Sequence, residues 1–359
     1  MRRMVCLAAI VLIGCAPRAA ATSPSPPPAA TVSPSATARA SATVDQDPTL
    51  GPAGLTLREE IGAVMMVGFN GALTPAVLDD WKQRQFGGLI VVPINQNAHD
   101  PAAIRQLIQS VRGVMAHPLL AATTQEGGSV CFLETRVPCL AGARQAGPQG
   151  PAAIQAEMTS MSRGLKALGF DINLAPVADV WDGVHPFISE RSYGQNPRVV
   201  AQDVTAAIAG MHAAGMYAAA KHFPGHGTAD AFVPFQAAIA AQVEFVMIGH
   251  MNVPALDDSA PASMSPAVLH ALRSDLGYKG LVISDDLQTG ALSPQYPPAA
   301  AAVRFLQNGG DMVIVSHDIE VADATYDAIR AAVQSGSYPR SQLDASVHKL
   351  LNLGLRYMP

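Results

Sequence analysis

Eight short apolar runs, each followed by residues at helical spacing, constrain this chain more than any other feature. The runs are Val64–Phe69, Gly88–Val92, Leu119–Thr123, Ile172–Val177, Tyr217–Lys221, Phe245–Gly249, Gly280–Ser284 and Asp311–Val315. Between them lie amphipathic segments, among them Pro101–Ala116, Pro151–Leu168, Pro197–Ala214, Ser265–Asp275, Pro298–Asn308 and Ile319–Ser335. A strand that reads as an unbroken apolar run is covered on both faces, and alternation with helices makes neighbouring strands parallel. The pattern predicts an α/β fold, a (β/α)8 TIM barrel formed by residues 53–359, with its active site at the C-terminal ends of the strands. A doubly wound open sheet is the alternative, but no glycine-rich nucleotide-binding turn follows the first run.

Polar residues collect where the runs end: Asn95, then Thr124 to Glu126, Asp179, Lys221 and His222, His250, Asp285 and Asp286, and Ser316 and His317. Strand ends face water in any barrel, so some of this is expected. Lys221, however, is one of five lysines in the chain, and it shares one compact turn with His222, Pro224, Gly225, His226 and Gly227. Turn chemistry alone does not account for that density. His250 reads as a packed core histidine in preference to a proton donor.

The N-terminus carries a different message. Arg2 and Arg3 precede an apolar stretch from Val5 to Gly14, the pattern of a secretory signal and too short to span a bilayer. Leu12-Ile13-Gly14-Cys15 resembles a bacterial lipobox, in which Cys15 would be lipidated after removal of residues 1–14. An ordinary signal peptide containing a cysteine is the other reading. Residues 15–52 form a Pro/Ala/Ser/Thr-rich linker with eight prolines after Cys15, unable to offset its ordering entropy by burial and suited to a spacer. The expectation is export, with the lipid holding the protein on the outer face of the cytoplasmic membrane or another envelope membrane. Cys131 and Cys139 then form a disulfide or remain two buried thiols. A net charge of −5 with 23 Lys+Arg provides no basic stripe for nucleic acid. A mean hydropathy of +0.20 arises from dispersed Ala and Val, not from a membrane span.

Taken together, several segments resemble a known family. Lys221-His222-Phe223-Pro224-Gly225-His226-Gly227 is similar to the K-H-F-P-G-H-G signature of glycoside hydrolase family 3, in its single-domain β-N-acetylhexosaminidase branch. Gln125-Glu126-Gly127-Gly128 resembles its D-Q-E-G-G segment, Asn173 to Val180 its N-L-A-P-V-x-D-V segment, and Arg191-Ser192-Tyr193-Gly194 its R-S-F-G segment. Ile283-Ser284-Asp285-Asp286-Leu287 resembles the nucleophile strand I-S-D-D-L. The motifs stand in family order from about Leu55 to Leu355. The resemblance implies a retaining hydrolase that uses no metal or organic cofactor and acts on β-linked amino-sugar glycans or muropeptide fragments. Asp285 would be the nucleophile that forms a glycosyl-enzyme intermediate. Arg191, Lys221 and His222 would grip sugar hydroxyls, or the two cations would form a structural salt bridge. Asp286 would support the nucleophile or stand inert.

Two departures from the family pattern bear on chemistry. Thr124 replaces the Asp that begins the D-Q-E-G-G segment, and Ser129 stands where Arg or Lys follows its glycines. A hydroxyl at Thr124 still bonds a sugar, without the strength of a carboxylate. The second departure is the missing Asp-x-His dyad, whose His serves as general acid and base in the family. Here Gly227 leads through Thr228-Ala229-Asp230 almost directly into the next helix. General acid–base help is worth about 10²–10⁴-fold in rate. His226 and Asp230 are the candidate substitutes. The competing readings are a sugar-binding lipoprotein with impaired catalysis and a phosphorolytic enzyme.

Overall fold

Eight parallel strands close on themselves: β1 (Met65–Val67), β2 (Gly88–Ile90), β3 (Leu120–Thr123), β4 (Ile172–Asn173), β5 (Tyr217–Phe223), β6 (Phe245–Ile248), β7 (Leu281–Asp286) and β8 (Met312–Val315). Each pairs with its sequence neighbours, and β1 closes the ring against β8 through Met65↔Val313 to Val67↔Val315. The fold is a (β/α)8 TIM barrel. The structure, a computed structural model, describes residues 50–354 apart from 52, 98–99, 132, 134–136, 226–229 and 293–294. Residues 1–14, Cys15, nearly all of the 15–52 linker and His226 lie outside the described residues.

The outer helices fall where the sequence places them. Pro101–Arg112, Pro151–Leu168, Pro197–His212, Pro298–Gln307 and Ile319–Gln334 match the expected segments to within a few residues. Proline at the first helical position recurs because its fixed φ suits the helix and its missing N–H would have no partner there. Asp100 adds a side-chain cap to the N–H groups of Ala102 and Ala103, and Asn196 caps Arg198. The expected helix Ser265–Asp275 instead divides into an α-turn, Pro266–His270, and a π-turn, Ala271–Asp275. The fourth strand ends at Asn173 and not at Val177, because Pro176 has no N–H to continue the ladder. Val177 regains only an isolated bridge to Lys221.

The two ends of the barrel are finished differently. A C-terminal helix, Arg340–Gly354, lies over the ends where the strands begin. Its Ser346 Oγ and Lys349 Nζ donate to Asp311 Oδ1 at 3.0 and 2.8 Å, and the Tyr217 hydroxyl donates to the Leu353 carbonyl. Among the described residues, the ends where the strands finish hold an open cavity.

Candidate active site

A cavity of about 200 Å³ opens at the C-terminal ends of the strands. Its floor is a layer of four buried side chains from the even-numbered strands: Ile90 in β2, Leu174 just after β4, Met247 in β6 and Ile314 in β8. Such alternating layers fill TIM barrels and make them packed bodies without a pore. Above the floor stand Thr124, Lys221, Asp285, Asp286, Ser316 and His317.

Glu126 organises one side. It belongs to a two-stranded ribbon, Gln125–Gly127 against Val130–Cys131, that follows β3. Asn173, at the end of β4, clamps that ribbon: its Oδ1 accepts from the Gln125 N–H at 2.8 Å and its Nδ2 donates to the Gln125 carbonyl at 2.7 Å. Glu126 then accepts from Arg191 Nε (2.7 Å) and Nη2 (2.8 Å), and from Lys221 Nζ (2.6 Å). Burial opposes ionisation of this carboxyl, but Lys221 and Arg191 outweigh it and hold its pKa down at about 2. Burial likewise disfavours the Arg191 charge, yet Glu126, Asp179 and Asp285 raise its pKa above the ordinary value. Next to this cluster, His222 Nδ1 donates to Asp179 Oδ2 at 2.8 Å. That fixes the tautomer, and His222 Nε2 lies 3.4 Å from Arg191 Nη2 with its lone pair available to accept.

Strand alternation would point consecutive side chains to opposite faces. Two irregularities defeat it. Lys221 pairs with Met247 and Phe223 with Ile248, leaving His222 as an extra residue in β5. Likewise Met312 and Ile314 in β8 face Ile283 and Asp286, so β7 spends three residues where β8 spends two. Bulges of this kind re-aim side chains. As a result Lys221 and His222 both join the site, and Asp285 and Asp286 both line the cavity.

Against this geometry, comparisons with known proteins agree. The Glycosyl hydrolase family 3 N terminal domain matches residues 56–233 and 228–353. The chain belongs to glycosyl hydrolase family 3. It is 29% identical over 340 residues to "Beta-hexosaminidase LpqI" of Mycobacterium tuberculosis, covering 84% of both chains. It is 32% identical to the "Beta-hexosaminidase" of Stenotrophomonas maltophilia over 74% of this chain and 87% of that one. A solved family 3 β-N-acetylglucosaminidase from a Paenibacillus species superposes with a TM-score of 0.80 at 33% identity. That match covers 84% of this chain and 62% of the Paenibacillus chain.

In this family 3 glycoside hydrolase, Thr124, Lys221 and Asp285 meet in one cavity, with Arg191 and His222 alongside. Asp285 Oδ1 accepts from the Asp286 N–H at 2.8 Å. Asp286 is fully engaged: it accepts from Ser316 Oγ (2.5 Å), Ser316 N (3.2 Å) and Gln288 N (3.1 Å), and His317 Nε2 lies 3.2 Å from its Oδ2. It therefore braces the ends of β7 and β8. Asp230 is exposed just ahead of the helix Phe232–Ala240, and its carbonyl accepts from Val233 N. His250 is buried, with Nδ1 on Ser263 Oγ and Nε2 on the Asp286 carbonyl, as a packed histidine should be. A disulfide joins Cys131 to Cys139 and so closes the loop beyond the Glu126 ribbon. Among the described residues no group of three or more His, Cys, Asp or Glu is placed to hold a metal.

Glu126, Asp179 and Asn173 are site residues to which motif reading assigned no role, although Glu126 and Asp179 stand among the polar strand-end residues. The available signal was charge balance: two cations drawn into one site, Arg191 and Lys221, need a carboxylate to receive them, and Glu126 does so.

Proposed function

We propose that this family 3 hydrolase is exported, held at a membrane by lipid on Cys15, and removes terminal β-N-acetylhexosaminyl residues from cell-wall-type saccharides, muropeptide fragments included. Asp285 is its nucleophile. The observation that carries the reading is the placement of Asp285 at the bulged end of β7, in one cavity with Lys221 and beside Arg191. A carboxylate held there attacks the underside of a sugar ring whose hydroxyls the cationic groups grip. Names of the relatives support the amino sugar as substrate, and the lipobox-like Leu12-Ile13-Gly14-Cys15 supports the anchor.

A second reading, a sugar-binding protein with impaired turnover, draws on Thr124 and on the exposed Asp230. Asp285→Ala and the parent protein, tested on an aryl β-N-acetylglucosaminide with a good leaving group and on an unactivated disaccharide, separate the two. Hydrolysis abolished in the variant supports the nucleophile. Sugar binding by calorimetry without turnover in the parent supports the binding protein. Full turnover in Asp285→Ala refutes the assignment of Asp285, and growth in rate with added phosphate identifies phosphorolysis.

A further inference from the structure

We propose that His317 is the general acid and base of this site, acting from the end of β8 and not from the turn after β5. The proposal rests on the hydrolytic reading above and supplies the proton carrier which that reading needs.

His317 shares the cavity with Asp285, and its side chain retains 31% exposure. Its orientation is built from three directions. Asn95, fully buried beyond β2, donates from Nδ2 to the Ser316 carbonyl at 2.6 Å. That bond fixes the amide, so Oδ1 faces His317 Nδ1 at 2.7 Å and accepts its proton. From just beyond β7, Gln288 Oε1 accepts from the His317 backbone N–H at 2.7 Å. With Nδ1 committed, Nε2 is the ring atom left for the cavity. It lies 3.2 Å from Asp286 Oδ2, whose carboxylate provides a fixed counter-charge for a doubly protonated ring. Asp286 is itself held by Ser316 and Gln288, so it serves as an anchor and not as a proton carrier.

The contrast with His250 separates a working histidine from a packing one. Both rings lie beside Asp286, but His250 is 7% exposed, with both nitrogens consumed by Ser263 and a carbonyl. His317 Nε2 is paired too, but with the carboxylate of Asp286 in the cavity that holds Asp285. A ring oriented through one nitrogen, with the other beside a carboxylate in the cavity, suits proton transfer.

The steps balance. As an Asp285 oxygen bonds to the anomeric carbon, the bond to the leaving oxygen breaks and its electron pair takes the proton from His317 Nε2, leaving a neutral ring. Then a water oxygen bonds to the anomeric carbon while Nε2 takes its proton. The bond to Asp285 breaks and the carboxylate is restored.

The test uses His317→Ala and His317→Gln on two β-N-acetylglucosaminides, a dinitrophenyl glycoside and a disaccharide, with Asp285→Ala as control. Loss of the acid should lower kcat/KM on the disaccharide by about 10²–10⁴-fold. On the dinitrophenyl glycoside kcat/KM should change by only a few fold, while kcat falls and azide restores it with formation of a glycosyl azide. Equal losses on both substrates, no loss on either, or no response to azide would overturn the proposal. Calorimetric sugar binding establishes that each variant is folded. If Asp285→Ala leaves dinitrophenyl cleavage intact, the hydrolytic reading itself fails, whatever the His317 variants do.

Discussion

Glu126 and Glu60 are both buried carboxylates, one at the open end of the barrel and one at the closed end, and they behave oppositely. Burial raises the pKa of both, but Glu126 faces Lys221 and Arg191 and settles at about 2. Glu60 faces one cation among the described residues, Arg340, with Asp344 and Glu59 adding negative charge, and is pushed up to about 7. One cation does not offset the loss of water around a buried carboxylate; two well-aimed ones do. The open end thus keeps a fixed anion with two fixed cations, which suits a site for hydroxyls. The closed end keeps its charges for packing.

The sharpest way to break this comparison is Glu126→Gln. It removes the carboxylate that receives both Lys221 and Arg191, and removing one partner of a buried pair costs about 3–5 kcal/mol. Denaturant unfolding should register that loss, and kcat/KM should fall by about 10²-fold as the cations shift. Asp311→Asn is the matching change at the closed end, where Asp311 receives Arg273, Lys349 and Ser346. Stability should drop by about 3 kcal/mol, while kcat/KM per folded molecule stays at the parent value. A catalytic loss equal to that of Glu126→Gln would erase the distinction between the ends.

The smallest effect is a pH signature. Glu126 has a folded pKa below the ordinary 4.5, so its stabilisation is present above 4.5 and is lost as pH falls from there through about 2. Glu60 has a folded pKa above 4.5, so its contribution is present below 4.5 and is lost as pH rises through about 7. Melting curves of Glu60→Gln should therefore gain on the parent protein between pH 5 and pH 8. No gain would mean that Arg340 compensates the burial of Glu60 after all.

The barrel was legible because its strands are buried on both faces and read as apolar runs, and because proline marks the helix starts at Pro101, Pro151, Pro197 and Pro298. The positions of Asp285, Lys221, His222 and Arg191 followed from strand ends and motifs. Their partnerships did not. Glu126 lies 65 positions before Arg191 and 95 before Lys221, a closure that only the completed ring brings about. Asn95 and His317 meet across the β1–β8 seam of the barrel, from opposite ends of the chain. Local pattern carries no record of such meetings. The π-turn at Ala271–Asp275 was also invisible, since one extra residue in a helical turn leaves the apolar spacing nearly unchanged.

The extra residues in β5 and β7 place a limit on improvement. Deleting one residue at either bulge would restore the even two-residue rhythm and a continuous ladder with the neighbouring strand. A designer seeking a tougher barrel would choose those two places first. Straightened there, the strand would turn His222 away from Arg191, or Asp285 away from the cavity. In this molecule the most regular barrel and the competent one are different objects.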